Sequence, residues 1–400
     1  MAYKDFRKLF HDPTSDADAV YESRLSDPRT LHLGTTVAGT PAFVFMAPEI
    51  YDALLEAARL DKEILKLELS LPGRALDSYR DSCLIDEIVL TNEIEGVRST
   101  RREIGEVLER LRENDRHGRF LGIVQKYALL ESRPDIAVST CDDIRAVYDD
   151  LVLAEVSAAT PECVPDGRWF RTKIVHVVDQ AGIPIHDGLE PESRIIDEMN
   201  NALGLLNDDG IDLLVRVALF HFLFGYIHPF YDGNGRTNRF ISSYLISQEY
   251  EPIVGLGISY AVKNDINKYY KAFTTCEHTL NRGDLTPFVI AFCEIIVQAV
   301  RNLRDSLAEK RTAFEQHLET TDRLLPPESR DVAEVLVTAT LFSFEGIGTA
   351  AMARVLGISR QTLYKRLEPL RKLGLIESFK IGRKTHYALN RERLAELAER

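Results

Sequence analysis

The stretch IDLLVRVALFHFLFGYI, residues 211–227, constrains the fold more than any other part of the chain. A helix built from it has no polar face to give to water, so it must lie at the centre of a packed body. Asp212, Arg216 and His221 interrupt the run, which therefore reads as a buried core helix and not as a membrane span. Such a helix needs other helices around it. APEIYDALLEAARLDKEILKLEL, TRREIGEVLERLREN and FVIAFCEIIVQAVRNLRDSLAEKRTAFEQHLE all repeat apolar residues at three- and four-residue spacing. The clearest β signal is TKIVHVVDQAGIPIHDG, where Val175, Val177 and Ile183 lie in a β-rich run and DQAG supplies a turn. It predicts one hairpin over residues 172–187 in a mainly α chain, with a further helix from about Arg194.

The chain has 400 residues, long enough for two or three domains. Pro326 and Pro327 end the last long helix and start something new. The expected organisation is an N-terminal helical extension at 1–80, a helical core at 81–318 and a small domain at 319–400. The five cysteines are scattered and form no metal-type pair, which predicts buried thiols in a reducing cytoplasm and no structural zinc. The opening MAYKDFRKLFHDPTSD lacks an apolar signal core, so the expected localisation is cytoplasmic with no membrane partner.

The core helix runs into HPFYDGNGRTNR, residues 228–239. Pro229 disfavours helical geometry at His228, which leaves the helix end and stands at a loop mouth. Gly233 and Gly235 permit a tight turn, and a new helix starts near Arg236. Loop N–H groups and a helix N-terminus then converge on one point, an arrangement that favours phosphate. Arg236 and Arg239, three residues apart, share a helix face and suit a polyphosphate. Asp232 is a hard oxygen ligand suited to Mg²⁺ between phosphates. His228, with an ordinary pKa near neutrality, is the natural general base for a hydroxyl attacking phosphorus. A Walker A loop would need a lysine after the last glycine, and a calcium loop would need ligands where Arg236, Thr237 and Ser243 stand.

HPFYDGNGRTNR resembles the Fic family signature, His-x-Phe-x-Asp/Glu-Gly-Asn-Gly-Arg-x-x-Arg, at every defined position. The resemblance implies a helical core with a β-hairpin flap, ATP with Mg²⁺, and transfer of AMP to a Ser, Thr or Tyr hydroxyl of a target protein. It makes His228 the base and Asp232 the metal ligand. It gives Gly233, Asn234 and Gly235 the phosphate cradle, and Arg236 and Arg239 the β/γ end of the nucleotide. It makes residues 172–187 the flap on which a target docks by strand addition, and it points to a homodimer. Tyr269 and Tyr270 fall in a segment similar to the family's chain after the motif, bordering the nucleotide or packing in the core. His221 reads as a packed core residue, and His176 and His186 as edges of the target groove.

TNEIEG, residues 91–96, resembles the Fic inhibitory pattern Ser/Thr-x-x-x-Glu-Gly/Asn. In a helix Thr91 and Glu95 stand one turn apart, and Gly96 can end that helix with Glu95 at its tip. The resemblance implies that Glu95 pairs with Arg239 and withholds it from the γ-phosphate. A carboxylate there could also align water for AMP removal, a second Fic chemistry that stays open beside other phosphotransfers.

Residues 346–389 hold nine Lys/Arg against two acids, a local charge of +7 within a chain of net charge −13. The pattern reads as a winged helix-turn-helix, a small α/β module. TAAMARVLGI gives a first helix, Ser359 caps a second, and LIESFKIGRKTHYAL alternates around Gly382 like a wing. Pro369 is a point at which the second helix would kink. Arg360, Lys365, Arg366, Lys380, Arg383 and Lys384 are the expected DNA contacts, with Arg371 also outward. Protein interaction and dimerisation are open alternatives for this module. A nucleotide-sensing DNA-binding regulator is the non-enzymatic alternative for the whole chain.

Overall fold

The computed structural model describes residues 3–178, 184–381 and 384–399. The chain divides into two compact units, one of Met1–Asp61 with Leu84–Arg301, the other of Lys62–Cys83 with Asn302–Arg400. This division differs from the 1–80, 81–318 and 319–400 organisation expected from the sequence. Residues 1–61 belong to the larger unit and are tied to it by hydrogen bonds, among them Tyr3 to Asp284 and Thr35 to Glu198. Phe6, Leu9 and Phe43 form one buried cluster lined by Val20, Tyr21 and Leu25. Phe43 bonds through both main-chain groups to the segment before the long helix Thr286–Leu324, its N–H to Gly283 O and its C=O from Leu285 N–H. The segment is also not all helical. Thr30–Val37 and Thr40–Phe45 form an antiparallel hairpin, with Val37 paired to Thr40 across the turn.

The 211–227 stretch folds as expected. Asp212 caps the helix Leu213–Ile227 by accepting the Leu214 N–H, and 12 of its 15 residues are buried. It packs between the helices Glu192–Leu206 and Asn234–Glu249. Phe222 meets the rings of Phe273 and Phe288, so an aromatic layer holds the end of this helix that carries the functional loop. The strands His176–Val178 and Pro184–Asp187 pair antiparallel, His176 opposite Asp187 and Val177 opposite His186. Val175 precedes the first strand; the DQAG turn and Ile183 lie outside the described residues.

In the smaller unit Pro326 precedes the helix Pro327–Phe342. The helix Thr349–Leu356 ends at Gly357, and Ser359 caps Arg360–Lys372 by accepting the Thr362 N–H. Leu363, Leu367 and Leu370 face inward, and the helix runs through Pro369. The strands Ile376–Ile381 and Lys384–Leu389 pair, and a short strand, Ile347–Gly348, adds to the other side of Lys384–Leu389. Gly382 lies outside the described residues. The helix Thr286–Leu324 is long and apolar enough to cross a membrane by length and composition, a feature the hydropathy reading did not single out. In this structure 56% of its apolar window is buried.

Candidate active site

His228 caps the core helix in a left-handed conformation, φ 53° and ψ 63°, and its N–H donates to Phe224 O. Left-handed backbone is uncommon for a residue with a side chain and marks a position held by its surroundings. The following loop is closed by Asn234. Its side-chain oxygen accepts the Phe230 N–H at 2.9 Å and its amide donates to Phe230 O at 2.7 Å. The Asn234 side chain thus shapes the loop and is not free to cradle phosphate. Burial, reinforced by the positive charge of Arg171 and opposed by Glu95, lowers the His228 pKa to about 4. The near-neutral value expected from the sequence is corrected accordingly, and the ring is a neutral acceptor at physiological pH.

The helix Gly73–Ile94 brings the second motif to this loop. It ends with Gly96 at φ 71°, a conformation that costs a side chain strain, and the Val97 N–H closes back on Asn92 O. Glu95 is left at the tip. Arg239, almost wholly buried, donates through Nε to Thr91 Oγ1 at 2.8 Å and through Nη2 to Thr91 O at 3.1 Å. The same Nη2 meets Glu95 Oε1 at 2.8 Å. Burial works against the charge of Arg239, but Glu95, joined by Tyr269 and Tyr127, holds the guanidinium above its ordinary pKa. Glu95 also lies against the first turn of the helix Asn234–Glu249: a Cβ on Gly235 would stand 2.1 Å from Glu95 Oε1. The carboxylate therefore occupies the helix N-terminus that the sequence assigned to phosphate.

Arg236 is equally buried and also paired. Its Nη1 donates to Glu155 Oε2 at 3.1 Å, and its Nη2 lies 3.7 Å from Asp232 Oδ1. Arg119 approaches Glu155 at 3.6 Å and Glu103 at 3.8 Å, so both motif arginines are met by carboxylates. Asp232 Oδ1 accepts the Gly233 N–H. Sequence reasoning missed Glu155, Arg119 and Arg171, which meet Arg236, Glu155 and His228 across gaps of tens of residues and carry no local pattern. It missed Glu87 as well, one helical turn before Thr91. Glu87 accepts the Ser259 N–H and hydroxyl in a fully buried site, and burial pushes its pKa up to about 7.

The remaining aromatic and histidine residues sort by burial. His221 bonds Ser242 and Tyr269 at 2.8 Å each, and burial lowers its pKa to about 3. Tyr269 is thus a core residue, while Tyr270 stays 44% exposed. His186 turns inward to Tyr226 O at 2.6 Å, with Glu277 at 3.7 Å, so it is an anchor of the hairpin. His176 pairs with Asp187 in the open. In the smaller unit Arg360, Lys365 and Lys380 are exposed. Arg366, an expected DNA contact, pairs with Asp331. Arg371 stands over the rings of Tyr364 and Tyr387. Arg383 and the side chain of Lys384 lie outside the described residues.

Residues 140–246 match the family model described as the Fic/DOC family. Over 143 residues the chain is 27% identical to protein adenylyltransferase fic-1 of Caenorhabditis elegans, covering 35% of this chain and 26% of that one. It is 29% identical to protein adenylyltransferase Fic of Drosophila yakuba over 143 residues, covering 34% and 26%. The chain therefore spans about a quarter of the length of these curated relatives. A crystal structure of a Fic family protein from Desulfovibrio desulfuricans G20 superposes with a TM-score of 0.50 at 19% identity, over 86% of this chain and 97% of that one. That likeness is one of fold. Glu155, Arg171 and the whole loop from His228 to Arg239 lie within the segment that matches the Fic/DOC family model, set in a mainly helical chain.

Proposed function

We propose that this chain transfers AMP from ATP to a protein hydroxyl and that Glu95 restrains the reaction. The observation that carries the reading is the pairing of Arg239 with Thr91 and Glu95 at the mouth of a loop that also presents His228. His228, neutral at pH 7, takes the proton of the target hydroxyl. The hydroxyl oxygen bonds to the α-phosphorus, the bond to the bridging oxygen breaks, and pyrophosphate leaves with the electron pair. Arg236, Arg239 and the N–H groups of the loop stabilise the leaving charge.

Asp232 would hold Mg²⁺. Its Oδ1 carries the contacts to Gly233 and Arg236, leaving Oδ2 for an ion. Among the described residues no group of three or more His, Cys, Asp or Glu forms a metal cage. A single carboxylate fits Mg²⁺, which binds through one or two carboxylates plus substrate phosphates and supplies charge neutralisation there. Glu95 restrains transfer by occupying Arg239 and the helix N-terminus, the two features a γ-phosphate needs. The hairpin is proposed to receive the target's extended backbone.

The test is labelling of cell-extract protein with ATP tagged on its α-phosphate. Glu95→Gly should label at least tenfold above wild type, and Glu95→Gly/His228→Ala should be silent. Silence in all three proteins despite ATP binding would remove the transferase reading. The smaller unit is proposed to contact a nucleic-acid backbone through Arg360, Lys365 and Lys380, which are exposed. Its affinity for duplex DNA should fall steeply with added salt.

A further inference from the structure

We infer that Arg171 is a positioning residue that locks both feet of the hairpin and the His228 peptide into one piece. The inference rests on the transferase reading above and adds a component to it.

Arg171 is fully buried, and the acceptors that hold its guanidinium are main-chain carbonyls. Nε donates to His228 O at 2.8 Å. Nη1 donates to Lys173 O, on the way into the hairpin, at 2.6 Å. Nη2 donates to Leu189 O, just after the hairpin, at 2.8 Å and reaches Ile227 O at 3.4 Å. The main chain repeats the tie: Arg171 N–H donates to Pro229 O and Leu189 N–H to Ile227 O. One planar cation thus joins three segments that are distant in sequence, a task that a lysine's single ammonium cannot reproduce. It explains how His228 keeps its left-handed backbone.

A buried cation also acts on its neighbours through a poorly screening interior. The charged or titratable groups that act on the His228 ring are Arg171, Glu95 and His186. Of these Arg171 has the largest effect and opposes protonation of the ring. The same residue that fixes the ring's backbone therefore adds to burial in disfavouring protonation of the ring.

Two variants separate the roles. Arg171→Lys keeps the charge and loses the fork; Arg171→Met keeps much of the volume and loses the charge. Each is made in the full chain, alone and with Glu95→Gly. The first readout is the ring titration of His228, followed by NMR of histidine-labelled protein and assigned with His228→Ala. The second is amide exchange at Gly188 and Leu189, which donate to Val175 O and Ile227 O. The third is the rate of extract labelling at saturating ATP, with the ATP concentration giving half that rate.

In Arg171→Met the His228 midpoint should rise by about one unit, as expected for removal of a nearby like charge. In Arg171→Lys the midpoint should stay near the wild-type value while exchange at Gly188 and Leu189 speeds at least tenfold. In both, the saturating rate should fall at least tenfold and half-saturating ATP should change less than threefold. If Arg171→Met does not fold, Arg171→Lys carries the test, since wild-type exchange and rate in that variant would overturn the inference. An unmoved midpoint in a folded Arg171→Met overturns it too. If the Glu95→Gly parent itself does not label, the transferase reading fails, and titration and exchange still judge Arg171.

Discussion

At the scale of single residues, the contact between Glu95 and Gly235 can be tested without any assay of transfer. A methyl group on Gly235 would stand 2.1 Å from Glu95 Oε1 and 2.9 Å from Arg239 Nη1. Gly235→Ala should therefore destabilise the wild-type chain by about 1–3 kcal/mol, the usual cost of overpacking. In the Glu95→Gly background the nearest obstacle is gone, and the cost should fall to under half. Urea denaturation of the four proteins forms a double-mutant cycle, and additive costs would mean that Glu95 does not lie on that turn. His228, Asp232, Arg239 and Glu95 were legible in the sequence because a long motif and a short one fix their spacing. Glu155 and Arg171 were not, since each meets its partner across a gap of 81 or 57 residues and nothing local marks it. The pKa of His228 was illegible for the same reason, being set by burial and by Arg171.

At the scale of elements, the helix Gly73–Ile94 matters through its end. Gly96 has a φ of 71° and open space where a Cβ would go, so a side chain there costs backbone strain and no clash. Gly96→Ala should cost roughly 1 kcal/mol and loosen the turn that presents Glu95. Labelling should rise above wild type yet stay below Glu95→Gly. Gly96→Asn, which tolerates the left-handed region, should behave as wild type. Equal labelling by the alanine and asparagine variants would show that the turn does not control Glu95. Most long helices were legible from periodicity. The hairpin of Thr30–Val37 and Thr40–Phe45 was overlooked although TLHLGTTVAGTPAFVF carries β-branched residues around an AG turn. Its register also shifts between His32 and Thr36, which breaks the strict alternation a strand reading relies on.

At the scale of the larger unit, four buried titratable groups with large shifts contribute to an acid response. Burial lowers His221 to about 3 and His228 to about 4, both from 6.5. It raises Glu87 and Glu277 to about 7, both from 4.5. Between its folded value and 6.5 each histidine binds fewer protons folded than unfolded, so stability falls as pH falls. Between 4.5 and 7 each glutamate binds more protons folded than unfolded, so its stabilisation is complete below 4.5 and is lost as pH rises to 7. Each slope is about 1.4 kcal/mol per pH unit at most. Two histidines and two glutamates therefore oppose each other from pH 4.5 to 6.5, and the urea midpoint should be nearly level there. Below pH 4.5 the two glutamates no longer oppose the histidines, and Asp12 and Asp27, whose hydrogen bonds hold them below the ordinary carboxylate range, add to the loss, so the midpoint should drop. His221→Gln removes one histidine contribution, so its midpoint should fall with rising pH between 4.5 and 6.5 and drop less steeply below 4.5. A wild-type midpoint that climbs steeply from pH 4.5 to 6.5 would mean that Glu87 and Glu277 are ionised throughout. Glu87 would then be a fixed anion beneath Thr91 and Arg239, and the hold on Arg239 would not weaken as Glu87 titrates.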